Sequence, residues 1–400
     1  MEWRILLQHD VQQFIAFNKD ADVRELALKK ASDPSWPYAL ILDQIKVRQK
    51  ARIKSPNFYE TNGILFPPND TYEQASSDAC GIYKASLVEG GSFVDLTSGC
   101  GVDSYHISKN FHSAIWVERD DISAALLGYN LDILKSAGKL HCEARCHHGD
   151  AEGFLDKYEN GDLVFIDPQR RENVRKGIYD LGACSPDVLS LLPILKTKFR
   201  KGMVKASPVL DIEKAVLALK CVRRVHVVQW RGECKEVLYE LDFTCEGDVG
   251  DVNIVAVTLD DAGSVQHKFS FRLADEKNAQ ISYAMPQSYI YEPDPAYQKS
   301  GGFKSFALFY GLEKLHQHTH LYTSREKRAD FPGKIYEFMD IKPVKAKGLG
   351  IKKADLAVRN FPMNVQDLKK KLKISDGGKQ RIYAVTLCND EKQLIICNKL

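Results

Sequence analysis

No stretch of this sequence approaches the roughly 20 consecutive apolar residues that a membrane-crossing helix requires. Its first residues, MEWRILLQHDVQQF, carry acidic and polar side chains where a secretory leader has its apolar run. A soluble protein of the cytoplasm, with no membrane partner, is the expectation. Cysteine is sparse and scattered: ten in 400 residues, without the dense framework of a secreted disulfide scaffold, fits reduced thiols. One cluster, His141-Cys142-x-x-x-Cys146-His147-His148, has ligand-type residues. It reads as a strand ending at Gly149-Asp150, where neighbouring side chains point to opposite faces, so no metal site is expected. Internal repeats and low-complexity segments are also missing. With 44% hydrophobic and 27% charged residues, the chain is not a disordered one. Its length suits two or three domains with sizeable cores.

A strong overall charge is lacking too, the formal net being only +3. The distribution is uneven, however: residues 301–400 hold 16 Lys and 4 Arg against 10 acidic residues, a net of +10, which leaves −7 for the first 300. Such an imbalance suggests a basic module joined to a neutral or acidic one, with polyanions as its partner. A solvated lysine-rich face is the plain alternative.

Residues 1–73 read as an N-terminal helical region, with a basic QIKVRQKARIK (44–54) and a turn-rich PNFYETNGILFPPND (56–70). Thr71-Tyr72-Glu73-Gln74 has the spacing of a capping box and predicts a helix from Thr71 to about Val88. From Gly91 onward, short apolar runs alternate with amphipathic segments. The runs are FVDL (93–96), AIWVE (114–118), ARCHH (144–148), DLVFID (162–167), GMVKAS (202–207), VRRVHVVQW (222–230) and VNIVAVTL (252–259); helices are predicted over 122–138 and 185–199. Strands apolar throughout and separated by helices indicate a parallel sheet buried on both faces, hence a doubly wound α/β domain over 74–272. Residues 273–318 hold a Pro/Gly-broken connector leading into a helix. Residues 319–400 read as strand, helix, strand, strand (ADLAV, RNFPMNVQDLKKKLKI, RIYAVTL, QLIIC).

The first strand runs into Asp95-Leu96-Thr97-Ser98-Gly99-Cys100-Gly101-Val102-Asp103. Two glycines spaced by one let the backbone turn tightly and approach a ligand at the carboxyl end of a first strand. The third glycine of a dinucleotide fold is absent, since position 104 is serine, and this argues against a nicotinamide or flavin dehydrogenase. Glu118 ends the second strand, about where a ribose-binding acid belongs, Asp150 follows the third, and Asp167-Pro168 closes the fourth. Acids therefore collect at one sheet edge.

At these residues the chain resembles the class I S-adenosylmethionine-dependent methyltransferases. The resemblance runs over about residues 74–272 and is carried by D-L-T-S-G-C-G, Glu118, Gly149-Asp150 and Asp167-Pro168-Gln169-Arg170. It implies that Asp95, Thr97, Gly99 and Gly101 hold the amino acid part and backbone of the cofactor, Glu118 its ribose and Asp150 its adenine. Tyr72-x-Gln74 is similar to an extra cofactor-contacting motif that some RNA methyltransferases carry ahead of the first strand, which adds Gln74 to this set.

Methyl transfer from a sulfonium is an in-line displacement in which positioning supplies much of the rate. Asp167 is read as the group that orients the acceptor, Pro168 as a stiff lip without an N–H, and Arg170 as a cation able to stack on a base or pair with phosphate. Base amino-group methyltransferases usually have Asp/Asn-Pro-Pro and an aromatic at this motif. Gln169 and Arg170 stand here instead, which removes that specific expectation. D-P-P-R, close to this motif, occurs in enzymes that methylate uridine at carbon 5, which need a cysteine after the fifth strand. Lys205-Ala206-Ser207-Pro208 lies there, so attack on a pyrimidine carbon is disfavoured and Lys205 joins the catalytic candidates. Glu233-Cys234-Lys235-Glu236 is a further candidate for the cleft, with helix initiation as the plain reading.

The whole chain resembles something narrower, a mainly bacterial family of class I methyltransferases with a ferredoxin-like segment and a C-terminal THUMP-like domain. EQASSDACGIYKA (73–85), IDPQRR (166–171), KASPVLDI (205–212), GECKEVL (232–238), YIYEPDPA (289–296), LYTSREKRADFPGK (321–334) and VRNFPMNVQDLKKKLKISDGG (358–378) carry it. The implied fold class is α/β: a Rossmann-like seven-stranded methyltransferase domain, a helical N-terminal region and an α+β THUMP-like domain. The implied domains are 1–73, 74–272, a ferredoxin-like segment 273–318, and 319–400 as an RNA-binding THUMP-like domain. Arg359, Lys369, Lys370, Lys371, Lys373 and Lys379 offer phosphate-binding charge, with Phe361 nearby for stacking. The expected activity is S-adenosylmethionine-dependent methylation of a base in tRNA or rRNA. A methyltransferase of a small molecule or protein, and a cofactor-binding RNA-binding protein with little catalysis, stay open as alternatives.

Overall fold

The computed structural model describes residues 2–29, 31, 33–170, 181–244 and 248–400. The chain forms two compact units: Met1–Arg231 with Lys235–Val249 and Thr258–Gln266, and Gly232–Cys234 with Gly250–Val257 and His267–Leu400. Among the described residues no helix is long and apolar enough to cross a membrane, and no group of three or more His, Cys, Asp or Glu side chains is placed to hold a metal ion.

The first unit begins with short helices around α1 (Tyr38–Lys54), whose Ile41 and Ile45 pack with Trp3, Leu6, Val11 and Ile15. Gln44 is buried on this helix and fully used: its amide donates to the Phe66 carbonyl at 2.5 Å and its oxygen accepts the Phe66 N–H at 3.1 Å. That exchange fixes the connector ahead of the sheet, as a buried amide must be paired to be tolerated.

Seven strands of the large sheet follow: β1 (Gly90–Asp95), β2 (Phe111–Glu118), β3 (Glu143–His148), β4 (Gly161–Ile166), β5 (Phe199–Ala206), β6 (Val222–Trp230) and β7 (Glu233–Asp242). Their order is β6-β7-β5-β4-β1-β2-β3. Strands β1 to β5 are parallel, and β7 runs antiparallel to β5. The chain winds outward from β1 to β3 and then returns to lay β4 on the other side of β1. This leaves a crevice at the carboxyl ends of β1 and β4, the switch point at which such sheets bind ligands.

Two local expectations are corrected. GECKEVL is the start of β7, inserted between β5 and β6, and not the beginning of a helix; the charged first half of the strand hides the buried Val237, Leu238, Tyr239 and Leu241 of its second half. VNIVAVTL forms the strand expected of it, β8 (Asn253–Leu259), which neighbours β9 (Val265–Arg272). The helix expected from Thr71 to Val88 is broken. A short helix spans Asn69–Gln74, Ala75 is extended with ψ 155°, and α2 (Asp78–Ala85) starts afresh with the Ser77 hydroxyl capping Cys80 N–H at 3.2 Å. The break turns Ser76 toward Asp103, to which it donates at 2.7 Å.

Gly101, at φ +82°, begins α3 (Val102–Ser108) in the left-handed region. A Cβ there would stand 2.7 Å from Leu127 Cδ1, so both the turn and its packing against α4 (Asp121–Ser136) call for glycine.

The second unit holds another seven-stranded sheet: β10 (Tyr289–Pro293), β11 (Glu313–His316), β12 (Thr319–Ser324), β13 (Gly333–Pro343), β14 (Asp355–Arg359), β15 (Gln380–Thr386) and β16 (Lys392–Lys399). Their order is β11-β12-β10-β13-β16-β15-β14. The strand, helix, strand, strand order read from the last 50 residues is present: β14 pairs parallel with β15 across helix Val365–Leu372, and β15 pairs antiparallel with β16. That helix puts Leu368 and Leu372 on Leu356, Ile382 and Ile396, while Ile290, Leu321, Tyr383 and Ile395 form a second buried cluster.

Candidate active site

A cavity of about 800 Å³ opens at the carboxyl ends of β1, β2 and β4. Gln74, Asp95, Thr97, Gly99, Glu118, Asp150, Asp167, Pro168 and Lys205 all line it; Gly101 does not, its place being the turn just described.

Asp95 is 1% exposed, and its oxygens are taken by the Thr97 N–H (2.8 Å) and the Ser104 hydroxyl (2.6 Å). Burial pushes its carboxyl up to about 7, against these two hydrogen bonds. Thr97 links the β1 loop to the lip, its Oγ1 accepting the Asp167 N–H at 2.7 Å. Gly99, at φ +54°, has open space where a side chain would be, and donates its N–H to Glu118 Oε2 at 2.9 Å. Glu118 Oε1 accepts the Asp120 N–H, also at 2.9 Å. The carboxylate is thus fixed by two backbone donors, and about two of its four lone-pair sites remain for a ligand. Asp150 caps the helix Ala151–Lys157 by accepting the Gly153 N–H at 2.7 Å. Gln74 is exposed at the end of its helix.

At the other end of the cavity, Lys205 Nζ lies 2.5 Å from Asp167 Oδ2, 3.1 Å from Ser76 Oγ and 3.6 Å from Asp103 Oδ2. Burial works to discharge Lys205, but Asp167, Asp103 and Glu236 outweigh it and hold the ammonium well above the ordinary lysine range. It is therefore a fixed cation paired with Asp167 and no reservoir of free amine. Gln169 and Arg170 form a two-residue ladder with Cys184 and Ser185, and Arg119 reaches Ser185 Oγ at 2.8 Å, so the segment bearing Cys184 is tied to the end of β2. Cys184 itself is buried and not part of the lining. The role assigned to the Arg170 side chain falls, like Arg171, outside what is described.

Sequence reasoning missed Ser76, Lys84 and Asp103. Lys84 is fully buried on α2, bonded to both oxygens of Glu236 at 2.6 and 2.7 Å and 3.0 Å from Asp103 Oδ1. The only signal was a lysine on an otherwise apolar helix face in DACGIYKA.

In the second unit, Lys370, Lys371, Lys373 and Lys379 are exposed. Arg359 instead bonds Glu292 Oε1 at 2.6 Å, beside Arg381 and the Tyr383 hydroxyl on the other oxygen, and Lys369 pairs with Asp376. Phe361 is packed against the cluster beneath helix Val365–Leu372.

Residues 289–332 match a ferredoxin-like domain family, and residues 335–399 a THUMP domain-like family. No curated protein matches the chain. Among solved structures, a protein from Porphyromonas gingivalis W83 described as a methyltransferase superposes with a TM-score of 0.84 at 27% identity, over 98% of this chain and 97% of that one. Two others are far more remote. TrmK of M. capricolum, bound to S-adenosyl-homocysteine, has a TM-score of 0.32 at 14% identity over 44% of this chain and 71% of its own. A Pyrococcus horikoshii protein described as an RNA methyltransferase has a TM-score of 0.31 at 16% identity over 48% and 96%. With the β6-β7-β5-β4-β1-β2-β3 sheet followed by a ferredoxin-like and a THUMP-like module, the chain shares its architecture from end to end with a protein described as a methyltransferase, which supports a methyltransferase.

Proposed function

We propose that this methyltransferase uses S-adenosylmethionine and modifies a base in structured RNA, tRNA or rRNA. The observation that carries the reading is the convergence of Gly99, Glu118, Asp150 and the Asp167-Pro168 lip on one cavity at the switch point of the sheet.

The residues fit such a cofactor. The cavity volume lies within the roughly 300–1,000 Å³ usual for small-molecule sites. Gly99 leaves an open cradle that a Cβ would enter, and Glu118 keeps acceptor capacity for a pair of ribose hydroxyls. Asp150 and Gln74 would border the same ligand. When bound, S-adenosylmethionine supplies an electrophilic methyl group on a positively charged sulfur. Asp167 would accept a hydrogen bond from the acceptor group and take its proton as the new bond forms, with the lip held rigid by Pro168 and Thr97. A base inside a duplex cannot reach the lip, so it would have to be flipped or lie in a loop.

Asp95 gives a pH test. Its folded carboxyl is raised to about 7 from 3.8, so it is protonated in the empty protein below neutrality. A ligand bearing a cationic amine gains from its ionised form. S-adenosylhomocysteine affinity should therefore rise as pH increases from about 6 to 8, and Asp95→Asn should flatten the profile; calorimetry across that range decides. The sign for stability is opposite: a raised carboxyl means that the folded state loses stability as pH rises from about 4 to 7.

The exposed lysines are expected to contact phosphate. Neutralising Lys370, Lys371, Lys373 and Lys379 together should lower the slope of log K against log salt for RNA by about three, at roughly 0.7–0.9 per lost contact. A small-molecule or protein acceptor is the second reading, favoured by the internal pairing of Arg359 and Lys369 and the packing of Phe361. It predicts no such change. The direct test incubates the protein with methyl-labelled S-adenosylmethionine and total RNA from cells lacking its gene, then identifies the labelled nucleoside. RNA without label, despite cofactor binding, would move the assignment to another acceptor.

A further inference from the structure

Behind the lip lies a ladder of five ionisable side chains drawn from separate elements. Glu236 on β7 holds Lys84 of α2, Lys84 reaches Asp103 of α3, Asp103 faces Lys205 of β5, and Lys205 grips the Asp167 carboxylate. Ser76, in the break between the two helices, is the hub. Its hydroxyl donates to Asp103 at 2.7 Å and accepts from Lys205 at 3.1 Å and Lys84 at 3.3 Å.

Packing alone gives no reason for this arrangement. Desolvation of each buried ion costs several kcal/mol, and apolar side chains of the same volume would join these elements at least as well. What the ladder provides is direction, because it ends on one oxygen of Asp167 while Thr97 fixes the backbone N–H of the same residue. The chain also forgoes a continuous helix to bring Ser76 to the hub.

We infer that Ser76, Lys84, Asp103 and Glu236 are positioning residues for Asp167: acting through Lys205, they hold its carboxylate at the lip in the orientation that meets the acceptor's hydrogen. This rests on the methyltransferase reading of the site. Lys84 is held charged because Asp103 and Glu236 outweigh its burial, and Asp103 is held ionised because Lys84 and Lys205 outweigh its own, so the ladder keeps its charges across neutral pH.

The test uses the full chain carrying Glu236→Gln or Lys84→Met, and, should the latter not fold, the paired Lys84→Met/Glu236→Leu. A crystal structure, S-adenosylhomocysteine affinity and label transfer to RNA are measured for each. Asp167 should leave Lys205 or divide between rotamers. Transfer should fall about 10–100-fold, as for other residues that orient a reacting group, with cofactor affinity and KM within about threefold. An Asp167–Lys205 pair undisturbed in folded variants, with unchanged turnover, would overturn the inference. If the wild type labels no RNA, the functional reading fails separately and the crystal geometry decides: a displaced Asp167 supports the ladder's role, and an unmoved one ends it.

Discussion

Asp167→Asn is expected to lower methyl transfer by about 10²–10⁴-fold, the range for loss of a positioned proton acceptor. The substitution keeps the shape of the lip. The backbone N–H still meets Thr97 Oγ1, Pro168 still stiffens the turn, and the amide occupies the volume of the carboxylate. Gly99, Glu118 and Asp150, the residues proposed to hold the cofactor, line other parts of the cavity, so S-adenosylhomocysteine affinity should stay within about threefold and the loss should fall on kcat with little change in KM. Single-turnover transfer and calorimetry on the same variant check this. Equal turnover in Asp167→Asn and the wild type would remove Asp167 from the chemistry.

Lys84→Met should cost about 3–5 kcal/mol of folding stability, the penalty for leaving a buried ion pair with one partner missing. Lys84 is 0% exposed, and its loss strands Glu236 at 3% side-chain exposure, while Asp103 keeps Ser76 and Lys205 as partners. Such a loss is a large share of the 5–15 kcal/mol typical of a domain. Removing the partner as well, in Lys84→Met/Glu236→Leu, should recover a good part of it, since the uncompensated charge and not the lost pair carries the penalty. Urea unfolding of both variants measures the difference. The pH range follows from the directions of the shifts. Lys84, raised above its ordinary 10.5, keeps its contribution until alkaline pH, whereas Asp103, lowered below 3.8, loses its own only as acid passes below the carboxylate range. A mild loss, under about 1 kcal/mol, would mean that the ladder is far better hydrated than its burial indicates.

Parallel strands buried on both faces read as continuous apolar runs, and this made β1 to β5 legible. Acids at strand ends announced the cavity, because Asp95, Glu118, Asp150 and Asp167 each follow such a run. Strand β7 was hidden, because ECKE at its start reads as a helix cap and its antiparallel place between β5 and β6 leaves no local trace. The helix break at Ala75 was hidden for another reason: Ser76 is drawn to Asp103, 27 residues on, and no local propensity encodes that. Lys84 and Glu236 are 152 residues apart, so neither revealed the other. The same holds in the second unit, where the sequence displays the charge of Arg359 but not its partner Glu292, 67 residues away. Lys370 and Lys371 belong to the face of their helix that solvent covers, and for these the sequence pattern was sufficient.

Calorimetric titration of the full chain with S-adenosylhomocysteine tests the central claim most directly. One site per chain with Kd on the order of micromolar, weakened at least about tenfold by Glu118→Ala and left nearly unchanged by Lys370→Ala, is the predicted result. Absence of binding by the wild type at millimolar ligand, or binding indifferent to Glu118, would contradict the assignment of this cavity to the methyl donor.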